Sequence, residues 1–205
     1  KTRYIEPFFG GGSLAKYTSQ LSIPRYCSDV DLSLIELYKE TQNGWEPPQS
    51  VSEELYKQLQ NQSKSSPLKT YAGFACSFGA KWFGGYARDK QGNRQHDYES
   101  YKRLMKDKQY LKDIFFENKS YNEIDVEYSD IIYCDPPYEG TLGYKNKFDH
   151  EVFWEIMRQW KSKGANVLIS EYKAPSDFEC IWEKKYSTCI HHQITNNVKV
   201  EKLFI

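Results

Sequence analysis

Short runs of apolar, β-branched and aromatic residues alternate along this chain with longer stretches whose apolar positions recur every three or four residues. The short runs near Tyr4, Tyr26, Phe115, Ile132 and Val167 read as strands, and the helical patterns between them predict an α/β fold with a mostly parallel sheet. Across residues 149–163, Phe153, Ile156, Met157 and Trp160 fall at i, i+3, i+4 and i+7, the core face of one helix. Asp149 is placed to cap that helix and Gly164 to stop it. Asn166-Val167-Leu168-Ile169-Ser170 follows as a buried strand. Near the end, residues 186–194 and 198–205 flank Thr195-Asn196-Asn197 and predict a C-terminal antiparallel hairpin that closes the sheet.

The alternation breaks over residues 43–112. Glu46-Pro47-Pro48-Gln49-Ser50 marks the start of an insertion, Ser52-Glu53-Glu54 predicts the capped beginning of a helix, and residues 61–67 form a polar linker before the next one. The chain contains no internal repeat. It reads as a single α/β domain spanning residues 1–205, with a helical insertion as its candidate target-recognition region.

Composition narrows the possibilities. A chain of 205 residues can bury a full core, and no apolar stretch approaches the roughly 20 residues that span a bilayer. There is no secretory pattern, and the five cysteines (27, 76, 134, 180 and 189) show no C-x-x-C spacing. These features predict a cytoplasmic protein in a reducing compartment, with no metal site and no obligate protein partner. The 28 basic and 28 acidic residues cancel, so bulk charge does not point to nucleic acid. Distribution does: residues 81–112 hold nine basic side chains against four acidic ones. Lys81, Arg88, Lys90 and Arg94 are interleaved with Trp82, Phe83 and Tyr86, a composition suited to phosphate contact and base stacking. The later part, residues 102–112, reads as the solvated face of a helix.

Two turns carry chemistry. Ile131-Ile132-Tyr133-Cys134 reads as a strand, and the Asp135-Pro136-Pro137-Tyr138 that follows cannot continue a ladder, because proline lacks the backbone donor. A carboxylate and a ring leaving the carboxyl end of a parallel strand stand where α/β proteins bind ligands. Earlier, Tyr4-Ile5-Glu6-Pro7-Phe8-Phe9 feeds Gly10-Gly11-Gly12-Ser13-Leu14-Ala15, which satisfies the G-x-G-x-x-A form of the nucleotide-binding turn. The next strand, Arg25-Tyr26-Cys27-Ser28, ends at Asp29, in position for a carboxylate that accepts ribose hydroxyls. Together they indicate an adenosine-containing cofactor.

The Gly-rich segment from Tyr4 to Leu14, followed later by Tyr133-Cys134-Asp135-Pro136-Pro137-Tyr138, resembles the D12 class of DNA adenine-N6 methyltransferases. The similarity continues through residues 76–88, 139–144, 148–154, 170–175 and 201–204, which resemble phage and prophage-type members in particular and leave restriction-modification, phage protection and regulation equally open. The resemblance implies a Rossmann-like methyltransferase fold, S-adenosylmethionine as cofactor and double-stranded DNA as substrate. It implies that Glu6, Pro7, Phe8, Gly10 and Gly12 hold the cofactor, with Asp29 on its ribose. Ser120 and Tyr121 would frame the adenine, Ser120 standing where many relatives have aspartate. Asp135 would contact the cofactor side while Asp135, Pro136, Pro137 and Tyr138 act on the target. DNA contacts are expected from Lys81, Trp82, Tyr86, Arg88, Arg94 and Tyr144.

The chemistry fits those residue types. An adenine amine is a poor nucleophile because its lone pair is delocalised into the ring. If Asp135 and the Pro136 carbonyl accept its hydrogens, that lone pair becomes available for direct in-line attack on a methyl group. Tyr138 would stack on the target base, which must leave the duplex to be reached. A covalent role for Cys134 is set aside, since a cysteine inside an apolar strand is a small buried hydrophobe. His191 and His192 are read as strand residues without catalytic duty. Competing readings are a nicotinamide dehydrogenase using the same glycine turn, an N-methyltransferase acting on RNA or protein amide, and a non-catalytic DNA-binding remnant.

Overall fold

A computed structural model describes residues 1–89, 94–139, 148–187 and 198–205. The chain divides into two compact units: residues 1–9, 23–28 and 119–205 form the first, and residues 10–22 and 29–118 the second.

Among the described residues, the first unit holds six strands: β1 (Tyr4–Glu6), β2 (Arg25–Asp29, its last residue assigned to the second unit), β4 (Ile131–Cys134), β5 (Asn166–Glu171), β6 (Cys180–Ser187) and β7 (Val198–Phe204). Their spatial order is β2-β1-β4-β5-β7-β6. β2, β1, β4 and β5 are parallel, whereas β7 runs antiparallel to both β5 and β6. The first strand of the terminal pair begins at Cys180, earlier than the apolar pattern suggested, because its exposed residues Glu183, Lys184 and Lys185 carry no strand signature. The predicted turn at 195–197, together with Cys189, His191 and His192, lies outside the described residues.

One helix, α6 (His150–Ser162), joins β4 to β5 and buries Phe153, Trp154, Met157 and Trp160. The Asp149 carboxylate accepts the Val152 N–H at 3.0 Å, and Gly164 follows the helix with φ +85°, a conformation that side chains rarely adopt. These side chains meet Ile5, Ile132, Cys134, Val167 and Ile169 in the core of the unit. Cys134 is fully buried with its Sγ 3.7 Å from Met157 Sδ, and burial raises its thiol pKa, so it is a packing residue. Below β4, the fully buried Asp130 accepts the Arg3 Nε at 3.0 Å and the Glu127 N–H at 2.9 Å, tying the start of β1 to that of β4.

The second unit is mostly helical. A one-turn α1 (Ala15–Thr18), α2 (Leu32–Gln42), α3 (Glu53–Asn61), α4 (Pro67–Ala75) and α5 (His96–Leu111) precede β3 (Ile114–Asn118). Ser52 and Ser66 cap α3 and α4 with side-chain oxygens 3.1 and 3.2 Å from the N–H groups of Leu55 and Lys69. The polar linker predicted over residues 61–67 is the connection between them. Leu37, Val51, Tyr56, Leu59, Tyr71, Ala72 and Cys76 form the core of this unit. Gln42 Nε2 donates to the carbonyls of Leu111 and Ile114 at 2.7 and 2.9 Å and so fixes where α5 hands over to β3. Residues 43–112, read as an insertion, fall wholly within this unit.

Candidate active site

In the first unit, β1 lies between β2, the next strand in the chain, and β4, which arrives much later. A parallel sheet whose connections depart in opposite directions leaves a crevice at the carboxyl ends of the two strands at the reversal. Register pairs Tyr4 with Ile131 and Ile5 with Ile132, so Glu6-Pro7-Phe8 and Asp135-Pro136-Pro137-Tyr138 leave the sheet side by side. The two turns separated by more than 120 residues of sequence are neighbours here.

Glu6 is 2% exposed, accepts the Tyr4 hydroxyl at 2.9 Å and has its carboxyl pKa pushed up to about 7, mainly by burial and further by the nearby Asp135. Asp135 reaches solvent at the strand end, yet the protein around it removes enough water to raise its pKa as well; a hydrogen bond with Tyr138 opposes that rise. Burial thus raises both of these neighbouring carboxyls.

The Tyr138 hydroxyl is hydrogen-bonded to Ser170 Oγ and donates to Glu201 Oε1 at 3.2 Å, while its ring packs edge-on against Tyr172 with centroids 4.7 Å apart. Glu171, 1% exposed, accepts the N–H of Glu139 at 3.1 Å and that of Tyr172 at 2.6 Å. It holds the residue after Tyr138 to the end of β5. Ser170, Glu171 and Glu201 had no role in the sequence reading. Their signal was present, because Ser170-Glu171 ends a predicted buried strand just as Asp135 does, but which neighbour they serve depends on the strand order.

Ser120 and Tyr121 also belong to the first unit. The Ser120 N–H donates to Glu123 Oε2 at 2.7 Å, which closes a short helical turn over Tyr121–Glu123. Tyr121 is 8% exposed, and its ring lies 5.3 Å from that of Phe8 and 5.6 Å from that of Phe148. Phe8 and Tyr121 therefore share one aromatic cluster.

In the second unit, Gly10 and Gly12 take φ of +47° and +67°, conformations open to glycine at little cost. The turn is clamped from two sides: the Gly10 N–H donates to Asp29 Oδ2 at 2.9 Å, and the Tyr38 hydroxyl donates to the Gly10 carbonyl at 2.7 Å. Asp29 Oδ1 accepts the Asp31 N–H at 2.9 Å, so both carboxylate oxygens have a backbone donor. Asn118 Nδ2 donates to the carbonyls of Asp29 and Val30 at 2.9 and 3.2 Å. Tyr38 was missed because it reads as one more apolar position of α2, where it is 7% exposed.

The residues expected to meet DNA take varied places in the second unit. Lys81 is exposed and Trp82 is 38% exposed. Tyr86 donates its hydroxyl to the Val51 carbonyl at 2.6 Å. Arg88 Nε lies 3.0 Å from Glu53 Oε2, whose pKa falls to about 2 beside Arg88 and Lys57, and Arg94 pairs with Glu99 at 2.6 Å. Tyr144 lies outside the described residues. Among the described residues, no group of His, Cys, Asp and Glu could hold a metal ion, and no helix is long and apolar enough to cross a membrane.

A mostly parallel sheet with a C-terminal antiparallel pair, and acidic and aromatic residues at its carboxyl edge, is the Rossmann-like methyltransferase fold. The family model for the D12 class N6 adenine-specific DNA methyltransferase matches residues 82–198. The chain belongs to that family, whose reaction is S-adenosylmethionine-dependent methylation of adenine in DNA. The match takes in Asp135-Pro136-Pro137-Tyr138, whereas Glu6, Gly10, Gly12 and Asp29 lie before it. Comparison with curated proteins gives no match.

Proposed function

We propose that the chain is a site-specific methyltransferase acting on the N6 amine of adenine swung out of duplex DNA, with Asp135, Pro136, Pro137 and Tyr138 as its catalytic turn. The observation that carries this reading is the side-by-side departure of Glu6-Pro7-Phe8 and Asp135-Pro136-Pro137-Tyr138 from β1 and β4, with the Tyr138 hydroxyl tied to Ser170 and Glu201.

The donor and acceptor chemistry fits S-adenosylmethionine. In the first unit, Phe8 and Tyr121 offer aromatic surface for an adenine, next to Ser120. In the second, a glycine turn with nothing within 4 Å of a Cβ built on Gly11 leaves backbone open to approach, and Asp29 retains acceptor capacity for ribose hydroxyls. When bound, the cofactor supplies a sulfonium methyl for direct in-line transfer to the amine.

The remaining work belongs to the chain. Asp135 and the Pro136 carbonyl accept the two hydrogens of the amine, which draws the nitrogen toward tetrahedral geometry. The prolines restrict the backbone that carries both acceptors. Tyr138 stacks on the extruded base, held by its hydroxyl so that little rotamer freedom is lost on capture. Alignment of this kind is worth roughly 7–11 kcal/mol at best.

The test is incubation with methyl-labelled S-adenosylmethionine and unmethylated genomic DNA, followed by digestion to nucleosides. Labelled N6-methyladenine is the expected product. Label in RNA or peptide acceptors instead, or DNA binding unaffected by Asp135→Ala without any methyl transfer, would overturn the reading.

A further inference from the structure

Residues 76–87 of the second unit form a loop closed at its base by backbone hydrogen bonds. Ser77 and Tyr86 make an antiparallel bridge, the Phe78 N–H donates to the Gly85 carbonyl at 2.8 Å, and the Ala87 N–H donates to the Cys76 carbonyl at 2.9 Å. Ser77 Oγ donates to the Gly73 carbonyl at 2.7 Å and lies 2.6 Å from the Tyr56 hydroxyl. Three of the four aromatic rings of the loop are turned to its own unit. Phe83 and Tyr86 pack on Tyr56 at 5.0 and 5.4 Å, and Trp82 packs on Phe74 at 4.9 Å. Gly73 makes that packing possible, since a Cβ there would come within 2.6 Å of the Trp82 ring.

The fourth ring, Phe78, is 72% exposed. Its loop turns through Gly79 at φ +64°, Ala80 at +53° and Phe83 at +43°. Left-handed backbone at residues bearing side chains persists only where surrounding contacts over-determine it, and such strain gathers at functional sites. Next to it stands Lys81, exposed and without an ion pair among the described residues, whereas Arg88 and Arg94 are engaged by Glu53 and Glu99. A held-out flat ring beside an uncommitted cation matches the pairing that base stacking and a phosphate require.

We propose that Phe78 is the aromatic side chain this loop delivers to duplex DNA, stacking on a base while Lys81 takes an adjacent phosphate. The inference rests on the methyltransferase reading above and assigns the contact to a residue the sequence pattern passed over in favour of Trp82 and Tyr86.

The experiment is fluorescence anisotropy of the full chain with labelled unmethylated duplex fragments across a salt series, alongside the methyl-transfer assay. Phe78→Ala should weaken binding about tenfold at every salt concentration, within the range of a lost stacking contact, and leave the salt slope unchanged. Phe78→Tyr, which keeps the ring, should bind as the wild type does. Lys81→Ala should lower the slope by about one. Phe78→Ala binding within about twofold of wild type while transfer to DNA proceeds would overturn this assignment and leave the methyltransferase reading standing. Equal loss in Phe78→Tyr would overturn it too, as a defect of the loop. Wild-type protein that binds no duplex would overturn both.

Discussion

At the scale of single residues, the two carboxyls at the ends of β1 and β4 have opposite requirements. Asp135 must be anionic to accept hydrogens from an amine, and burial raises its pKa. The acid limb of the transfer rate should therefore lie above the ordinary aspartate range, activity falling as pH drops through that raised value, as a pH–rate profile will measure. Asp135→Ala should reduce transfer by at least about 100-fold while S-adenosylmethionine binding, read by calorimetry, stays within a few-fold of wild type. Glu6 is the reverse case, with a folded pKa of about 7 against 4.5. A carboxyl raised in this way binds more protons when folded than unfolded, so stability declines as pH climbs from about 4.5 to about 7. The decline amounts to at most about 3 kcal/mol. Glu6→Gln keeps an acceptor for Tyr4 and removes the charge, so it should match wild type near pH 5 and exceed it at pH 8 in denaturant unfolding.

At the scale of elements, the glycine turn shows how little of a site's rigidity lies in the turn itself. Gly10 is held by Asp29 at the end of β2 and by Tyr38 from the buried side of α2. Tyr38→Phe removes one hydrogen bond and no packing area, so it should cost about 1 kcal/mol in stability and weaken S-adenosylmethionine binding several-fold. A variant with unchanged cofactor affinity would separate the turn from the cofactor. The elements themselves were legible because their signals are local: the Asp149 cap, the i, i+3, i+4, i+7 face of α6, the stop at Gly164 and the β-branched runs of β4 and β5 all depend on near neighbours. The early start of β6 was not legible, since its charged, exposed residues have no strand preference of their own and are in a strand only because β7 pairs with them.

At the scale of the whole molecule, 28 basic and 28 acidic residues leave no net charge to draw DNA in. Arg88 and Arg94, two of the cations expected to meet DNA, are already paired with acids. Affinity for duplex DNA should therefore fall only gently with salt, with a log–log slope of magnitude below about 5, checked by the same anisotropy titration. The sequence alone determined the class of fold, the glycine turn, the acid ending β2 and the Asp135-Pro136-Pro137-Tyr138 turn. Each is a short pattern whose meaning lies in backbone chemistry: glycine allows positive φ, proline stops a ladder, and alternation chooses the buried face. Tertiary structure alone decided that β1 and β4 are neighbours, that Ser170, Glu171 and Glu201 serve Tyr138 and its turn, that Tyr38 clamps Gly10, and that Phe78 is more exposed than Trp82. These depend on strand order and on competition among similar side chains for one core, which are long-range properties that no local run of residues encodes.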